Sequence, residues 1–183
     1  GGVVLLVLVG LLAAAVFVIF RLCELCSDLF EDECLKKRPE WEKYQGSLYY
    51  FSSQMSSWNK SRRSCTDLGS DLVKIDSREE QVFLESRLRD LMENQYDKFW
   101  IGLTDSEEEG KWLWVDGSPL NKSFWMSWEP DDWKVTYSAG EDCAAFGIKE
   151  VADDLIRWFD QFCGLPRRSI CEKPAERLSD TQH

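Results

Sequence analysis

Few residues in this sequence could act as acid–base or nucleophilic catalysts. The chain has 183 residues and one histidine, His183, which stands at the end of a polar tail. Catalysis by an imidazole base and zinc binding through several histidines therefore lack the necessary side chains. No nucleophile–base pair can be assembled without histidine, so most hydrolase mechanisms are excluded and we do not expect an enzyme.

Carboxylates are the abundant reactive groups. The chain has 33 acidic and 22 basic side chains, and its net charge is -11. This balance opposes binding to nucleic acid, whose phosphates attract clustered lysine and arginine, so nucleic acid is excluded as a partner. Carboxylate oxygens are instead the ligands that a hard cation such as calcium requires, provided that a loop brings several of them together.

Cysteines and two short motifs indicate the compartment. The seven cysteines lie at positions 23, 26, 34, 65, 143, 163 and 171. Asn59-Lys60-Ser61 and Asn121-Lys122-Ser123 are glycosylation sequons. An apparent disulfide framework beside two sequons predicts a location outside the cytosol, with glycosylation at Asn59 and Asn121. For Cys23 and Cys26, acylation, interchain bonding and no role remain open.

The N-terminal segment is typical of a membrane anchor. Val3 to Phe20 is apolar throughout, and a helix needs about 20 such residues to cross the hydrocarbon core. The run continues beyond the small residues Ala13 to Ala15, which favours a signal-anchor over a cleaved signal peptide. We therefore predict a transmembrane helix in residues 1–20, truncated at its N-terminal end because the chain starts without Met. With its body outside the cytosol, the chain is predicted to be a single-pass type II protein of the plasma membrane.

The body of the chain has the pattern of an α+β domain. After a short extracellular stalk, residues 21–39, we predict one domain over 40–173 and a polar tail over 174–183. Ser56-Ser57 and Gly69 bound the first predicted helix, and the capping box Ser77-Arg78-Glu79-Glu80 opens a second. Short strands are predicted at Gly46–Phe51, Asp71–Ile75, Phe99–Leu103, Lys111–Val115, Ala144–Ile148 and Arg168–Glu172. Between them runs an irregular segment, 117–142, and loops of this length are usually functional.

Six short motifs follow one another between Trp41 and Lys173. They are Trp100-Ile101-Gly102-Leu103, Trp112-Leu113-Trp114-Val115-Asp116-Gly117, Glu129-Pro130-Asp131, Gly140-Glu141-Asp142-Cys143, Trp158-Phe159-Asp160 before Cys163, and Ile170-Cys171-Glu172-Lys173. In this order they resemble the C-type lectin-like domain family, most closely the type II receptors of the dendritic-cell lectin and asialoglycoprotein-receptor group. The resemblance implies two helices, short antiparallel sheets and a long calcium and ligand loop, preceded by a transmembrane helix.

The same resemblance implies a set of disulfides. The implied pairs are Cys65 with Cys171 and Cys143 with Cys163. Each contributes roughly 3 to 5 kcal/mol in the chain-entropy model if it is unstrained. Many members have a further N-terminal disulfide, but Arg38 and Leu48 stand where its cysteines would be. Cys34 is then available to link two copies as a homodimer, and a free or buried thiol is the alternative.

An auxiliary calcium site of the family falls on five carboxylates of this sequence. These are Asp105, Glu109, Asp132, Glu141 and Asp142. A solvated acidic surface is the alternative in so acidic a chain, but five matches at family positions favour calcium. The insertion Trp133 to Gly140 lengthens the loop relative to many relatives, and displacement of Asp132 from Glu141 is the alternative that it leaves open.

The principal, sugar-contacting calcium site falls on residues that are also the expected ligand-binding set: Glu129, Asp131, Glu141, Phe159 and Asp160. In mannose-type members, asparagine stands at the second and fourth positions, where its carbonyl oxygen binds calcium and its amide donates to a sugar hydroxyl. Asp131 keeps a metal oxygen but lacks the donor, and Phe159 lacks both. Phe159 is expected either to pack beneath the loop or to stack against a ligand.

Two functions are compatible with the resemblance. Glu129, Pro130 and Glu141 favour calcium-dependent binding of a glycan or glycoprotein at the cell surface, since Pro130 is typically the cis proline that shapes this loop. Asp131 and Phe159 favour the alternative, a lectin-like immune receptor that binds a protein or lipid without calcium-bridged sugar.

The tryptophans divide between core and ligand loop. The expected core members are Trp100, Trp112, Trp114 and Trp158. Trp128 and Trp133 flank the acidic loop and are candidates for ligand contact.

Overall fold

A computed structural model describes residues 21, 39–94, 96–147 and 158–175. The chain divides into two compact units, Gly1–Glu40 and Trp41–His183, and the account below concerns the second. No helix among the described residues is long and apolar enough to span a bilayer. The predicted transmembrane helix in residues 1–20 lies outside the described residues, as do most of the stalk with its three cysteines and most of the C-terminal tail.

The described part of the second unit contains two helices and eight short strands. In chain order they are β1 Glu42–Tyr44, β2 Ser47–Phe51, α1 Trp58–Asp67, β3 Asp71–Leu72, α2 Arg78–Leu91, β4 Phe99–Thr104, β5 Leu113–Trp114, β6 Cys143–Phe146, β7 Trp158–Gln161 and β8 Arg168–Pro174. The α+β class and the two helices are confirmed. Strands β1 and β7 were not among the predicted strands, and β3 and β5 are shorter than predicted.

The strands form one mixed sheet. Its order is β1-β2-β8-β4-β6-β7, with β3 on β8 and β5 on β4. The expectation of purely antiparallel sheets is wrong at one place, because β4 and β8 pair in parallel at Phe99↔Arg168 and Trp100↔Ser169. A parallel pair needs a long crossover, and the chain that forms the irregular loop, β6 and β7 provides it.

Helix α2 begins as the capping box predicts, with one change. The Oγ atom of Ser77 accepts a hydrogen bond from the Glu80 backbone N–H at 3.1 Å. The Glu80 carboxylate does not return to Ser77. It accepts instead from the Asp76 N–H at 2.9 Å and from the buried Tyr49 hydroxyl at 2.7 Å. Glu80 therefore also links the N-terminal end of α2 to Tyr49 of β2.

Tryptophans dominate the core, as expected. Trp100, Trp112, Trp114 and Trp158 are all buried. The Trp158 ring makes edge contacts with Trp114 and Trp125, and its indole N–H donates to Gln81 of α2 at 3.1 Å. These contacts hold β7 against helix α2. Strand β7 contains two residues of the expected ligand site, Phe159 and Asp160.

Both implied disulfides are present in the structure. Cys65 of α1 is bonded to Cys171 of β8, with Cα atoms 5.5 Å apart. Cys143 of β6 is bonded to Cys163, just beyond β7, with Cα atoms 5.1 Å apart. The second bond holds together the two chain segments that carry Glu141, Asp142 and Asp160.

Candidate metal and ligand site

The irregular segment 117–142 is docked on strand β7 by its backbone. The Trp158 N–H donates to the Phe124 carbonyl at 2.8 Å, and the Met126 N–H donates to the Trp158 carbonyl at 3.0 Å. The Glu129–Pro130 peptide bond is cis, as the resemblance implies. Beyond it, the Asp160 carboxylate accepts from the backbone N–H groups of Asp131 at 3.2 Å and Asp132 at 2.7 Å. Asp160 thus anchors the loop.

One group of carboxylates, which we call the principal group, consists of Glu129, Asp131 and Asp160. Each offers an oxygen within 4.8 Å of the others. Asp160 is 2% exposed, and the Oε2 atom of Glu129 is buried without a hydrogen-bond partner among the described residues. Burial and the neighbouring Asp160 raise the pKa of Glu129 to about 9, because a second negative charge here is poorly solvated and repelled. Such a group requires protons or a cation.

Glu141 lies near the principal group without joining it as a fourth member. Burial, followed by the negative charges of Asp160 and Asp131, raises the pKa of Glu141 to about 7. Its carboxylate is therefore within electrostatic range of both. Its backbone N–H donates to Oδ1 of Asp132 at 3.1 Å.

A second group, the auxiliary group, consists of Glu109, Asp132 and Asp142, again with oxygens within 4.8 Å of one another. This group already contains a cation. The ammonium of Lys134 donates to the Asp132 carboxylate and lies 3.6 Å from Oε2 of Glu109. Its positive charge lowers the pKa of Asp132. Lys134 was not singled out in the sequence, although it stands two residues after Asp132 and is the only charged residue of the insertion Trp133 to Gly140, a signal that could have identified it.

Asp105 stands apart from the three carboxylates that converge. It is 4% exposed, and its Oδ2 atom accepts from the Gly110 N–H at 2.8 Å while Oδ1 has no partner among the described residues. Burial raises its pKa. In the structure Asp105 organises the turn that leads to Glu109.

The insertion Trp133 to Gly140 does not separate Asp132 from Glu141. Asp132 adopts a left-handed backbone conformation with φ of 46°, and Gly140 has φ of 85°. A Cβ atom at Gly140 would overlap Oδ1 of Asp132, so only glycine lets the loop close there. The closed insertion brings the Glu141 N–H to Asp132, and the alternative of displacement is wrong.

Phe159 packs as part of the domain interior. It is 7% exposed, and the Nζ atom of Lys98 lies 4.0 Å from its ring centroid. Of the two alternatives left by the sequence, the structure shows packing, and the ring is not available for stacking on a ligand. Trp128 and Trp133 are 61% and 50% exposed beside the carboxylates. Lys98 was missed because 61 residues separate it from Phe159.

The principal group fits a calcium ion better than the auxiliary group does. Three carboxylates converge in the principal group, and one buried oxygen has no hydrogen-bond partner, which are properties of a hard-cation site. The auxiliary group offers the same donor type, but Lys134 competes for it. Away from both groups, the sequon residues Asn59 and Asn121 are exposed.

Sequence comparison finds C-type lectins. The profile described as the Lectin C-type domain matches residues 54–173. C-type lectin domain family 4 member M of Nomascus concolor is 37% identical over 155 residues, which are 82% of this chain and 35% of that protein. The hepatic lectin of Gallus gallus is 36% identical over 143 residues, 77% of this chain and 61% of that protein. The chain thus spans about a third of the length of the first of these curated relatives.

Comparison with solved structures also finds C-type lectin domains. The carbohydrate-recognition domain of the mouse scavenger receptor C-type lectin is 35% identical, with a TM-score of 0.64 over 76% of this chain and 98% of that chain. The C-type lectin domain of murine dendritic cell inhibitory receptor 2, solved in complex with N-glycan, is 30% identical, with a TM-score of 0.60 over 73% of this chain and 95% of that chain. Both solved domains are matched over nearly their whole length.

Proposed function

Because this chain belongs to the C-type lectin domain family, we propose that it is a cell-surface receptor that binds carbohydrate through calcium held at the principal group. The domain is a carbohydrate-recognition domain related to glycan-binding receptors, and the family is not enzymatic. We also propose that residues 1–20 anchor it in the plasma membrane with type II topology.

The observation that carries the calcium proposal is the unpartnered Oε2 atom of Glu129, buried among converging carboxylates. Glu129, Asp131 and Asp160, with Glu141 in electrostatic range, would hold the ion. Calcium, when bound, supplies a Lewis-acidic centre to which neighbouring sugar hydroxyls coordinate. The carboxylates accept hydrogen bonds from those hydroxyls, and Asp160 positions the loop through the N–H groups of Asp131 and Asp132.

The sugar specificity of the proposed site follows from two hydrogen-bond donors that mannose-type members have and this chain lacks. Asp131 has no amide to donate to a sugar hydroxyl, and the buried Phe159 presents neither donor nor acceptor. Trp128, 61% exposed next to Glu129, offers an aromatic face to the apolar side of a sugar ring. This arrangement supports binding of glycans other than simple mannose.

A glycan array tests the proposal. The native ectodomain should bind a defined set of glycans in calcium and lose them in chelator. Glu129→Gln should fail to bind these glycans even in calcium. Glu107→Gln, an exposed acid in the turn after Asp105, is the matched control and should bind like the native domain. Retention of glycan binding by Glu129→Gln would contradict the proposed site.

The second candidate is a receptor of the same fold that binds a protein or lipid without calcium-bridged sugar. Two observations favour it: Lys134 supplies a cation to the auxiliary group, and Trp128, Trp133 and Val135 are exposed apolar side chains on one loop. This alternative predicts binding that chelator leaves unchanged and that Trp133→Ser weakens.

A further inference from the structure

Two cations lie side by side on one face of strand β7, next to the principal group but outside it. The Nζ atom of Lys98 lies over the Phe159 ring, 4.0 Å from its centroid. The Arg167 guanidinium donates to Oε1 of Gln161 at 3.1 and 2.8 Å and to the Tyr96 carbonyl at 3.5 Å. Phe159 and Gln161 are two residues apart on the strand, so their side chains share a face. Strand β7 therefore holds both cations.

Neither cation forms an ion pair with a carboxylate that the structure describes. The polar partners of Arg167 are an amide and a carbonyl oxygen, and the contact of Lys98 is an aromatic ring. Burial and the positive charge of Arg167 lower the pKa of Lys98 to about 8, while Glu129 acts in the opposite direction. Two partly buried like charges repel each other, and an anion bound between them would relieve this repulsion.

A small cavity opens between these cations. Its volume is about 30 Å³, and it is lined by Lys98, Arg167 and Arg168 together with Asp97. The Asp97 carboxylate forms its ion pair with Arg168 at 2.9 Å and acts on Arg167 only at longer range. Tyr96, 71% exposed, stands at the rim. The cavity has room for about two water-sized atoms, which is enough for two oxygens of an anion bound at its mouth, and the tyrosine ring is open to a sugar outside it.

We propose that Lys98 and Arg167 bind the oxyanion of an acidic glycan, a sulfate ester or a sialic acid carboxylate, whose neighbouring sugar occupies the principal group. This inference rests on the proposed function and names its ligand class. Lys98 packs on Phe159, the neighbour of Asp160 in the chain, and lies within electrostatic range of Glu129 of the principal group, so the two subsites adjoin. The net charge of -11 and the surrounding carboxylates repel polyanions, which favours one acidic group on an otherwise neutral glycan.

The test compares neutral, sulfated and sialylated forms of one oligosaccharide that the native domain binds in calcium. An acidic form should bind the native domain at least about tenfold more tightly than the neutral form. Lys98→Met keeps the packing on Phe159, Arg167→Gln removes the guanidinium, and either change should abolish that preference. The exposed Lys122→Gln is the matched control and should keep it. Whichever acidic form is preferred identifies the source of the oxyanion.

Equal affinity for all three forms, or an unchanged preference in both variants, overturns the inference. Arg167→Lys keeps a charge and should retain part of the preference even if Arg167→Gln folds poorly. A second measurement separates this inference from the proposed function. In chelator, sodium sulfate at matched ionic strength should shift the Arg167 Nε–Hε resonance of the native domain, and Lys98→Met should reduce the shift. A sulfate response without any calcium-dependent glycan binding contradicts the proposed function alone, and no sulfate response overturns the anion site.

Discussion

The ammonium group of Lys134 is bonded to the carboxylate of Asp132 inside the auxiliary group. The lysine also lies 3.6 Å from Glu109 and thereby places a protein cation among carboxylates that otherwise suit calcium. Its presence distinguishes the two acidic groups of this domain. A cation already attached to the chain costs no binding entropy, but it reduces the electrostatic attraction for a second one.

Replacing this lysine should therefore strengthen calcium binding. Lys134→Gln removes the competing charge, and we expect calcium affinity at the auxiliary group to rise about three- to tenfold. Isothermal titration calorimetry measures the affinity and the number of ions bound. Lys111→Gln, which breaks an exposed pair with Glu108, serves as the control. An unchanged titration would show that Lys134 does not compete with calcium.

Calcium should stabilise the folded domain. At a concentration about a hundredfold above the dissociation constant, binding adds about 2.7 kcal/mol, which raises the melting temperature by about 5–10 °C. Glu129→Gln should melt higher than the native domain in chelator, because the native carboxyl must take up a proton on folding at neutral pH, and it should lose most of the calcium-induced shift. Thermal melts in calcium and in chelator measure both effects. Identical midpoints for the native domain would contradict the calcium proposal.

Calcium affinity should rise with pH. The pKa of Glu141 is raised to about 7 and that of Glu129 to about 9, against an ordinary value of 4.5. In the calcium-free domain these carboxyls bind protons more tightly than in the unfolded chain, so their contribution to stability is full below pH 4.5 and is lost as the pH rises through 7 and 9.

Calcium must displace these protons. We therefore expect its affinity to be at least about tenfold weaker at pH 5.5 than at pH 7.5. Calorimetry in two buffers of different ionisation enthalpy should detect proton release at pH 7.5. Equal affinities and no proton release would exclude protonated carboxyls in the free site.

Simple mannose should bind poorly, and one substitution should improve it. Asp131 is exposed, so Asp131→Asn restores an amide donor without disturbing the interior, and we expect about fivefold to tenfold stronger binding to mannan in calcium. Phe159→Asn is not equivalent, because it replaces a buried ring beneath Lys98 and should cost about 3 kcal/mol of folding free energy. Solid-phase binding and denaturant unfolding separate the two outcomes. Strong mannan binding by the native domain would refute the role given to the missing donors.

Cys34 is predicted to link two chains. A fragment that begins at Asp28 should run as a disulfide-linked dimer on non-reducing electrophoresis, and Cys34→Ser should run as a monomer. Because the fragment excludes Cys23 and Cys26, neither can form the link. A monomeric band for the unaltered fragment would rule the linkage out.

The sequence predicted the regular elements where local patterns define them. Helix α2 was predicted because the capping box Ser77-Arg78-Glu79-Glu80 opens it, and the structure has it at Arg78–Leu91. Strand β1 was missed because Glu42-Lys43-Tyr44 is short and charged. It forms a strand because Gln45 and Gly46, with φ of 43° and 92°, turn the chain back onto β2, and Tyr44 stacks on Phe83 of α2 at 4.1 Å. Only the dipeptide Gln45-Gly46 signalled this turn.

The candidate site likewise contains residues that the sequence identified and residues that it did not. The carboxylates could be identified because each stands beside a family motif. Lys98 could not be identified, since it meets Phe159 across the sheet. Lys134 was identifiable from its position beside Asp132, but its contact with Glu109 was not. Contacts between side chains so distant in sequence depend on the folded path of the loop, and no local pattern encodes that path.

Asp132 connects the two acidic groups, although its carboxylate is a member of the auxiliary group only. Its carboxylate is part of the auxiliary group and accepts from the Glu141 N–H, while its own N–H donates to Asp160 of the principal group at 2.7 Å. A cation bound at the auxiliary group acts on the same residue whose backbone N–H Asp160 holds. We therefore expect the two groups to be thermodynamically linked, so that a cation bound at one changes the cation affinity of the other. The factor by which each changes the other's affinity must be the same in both directions.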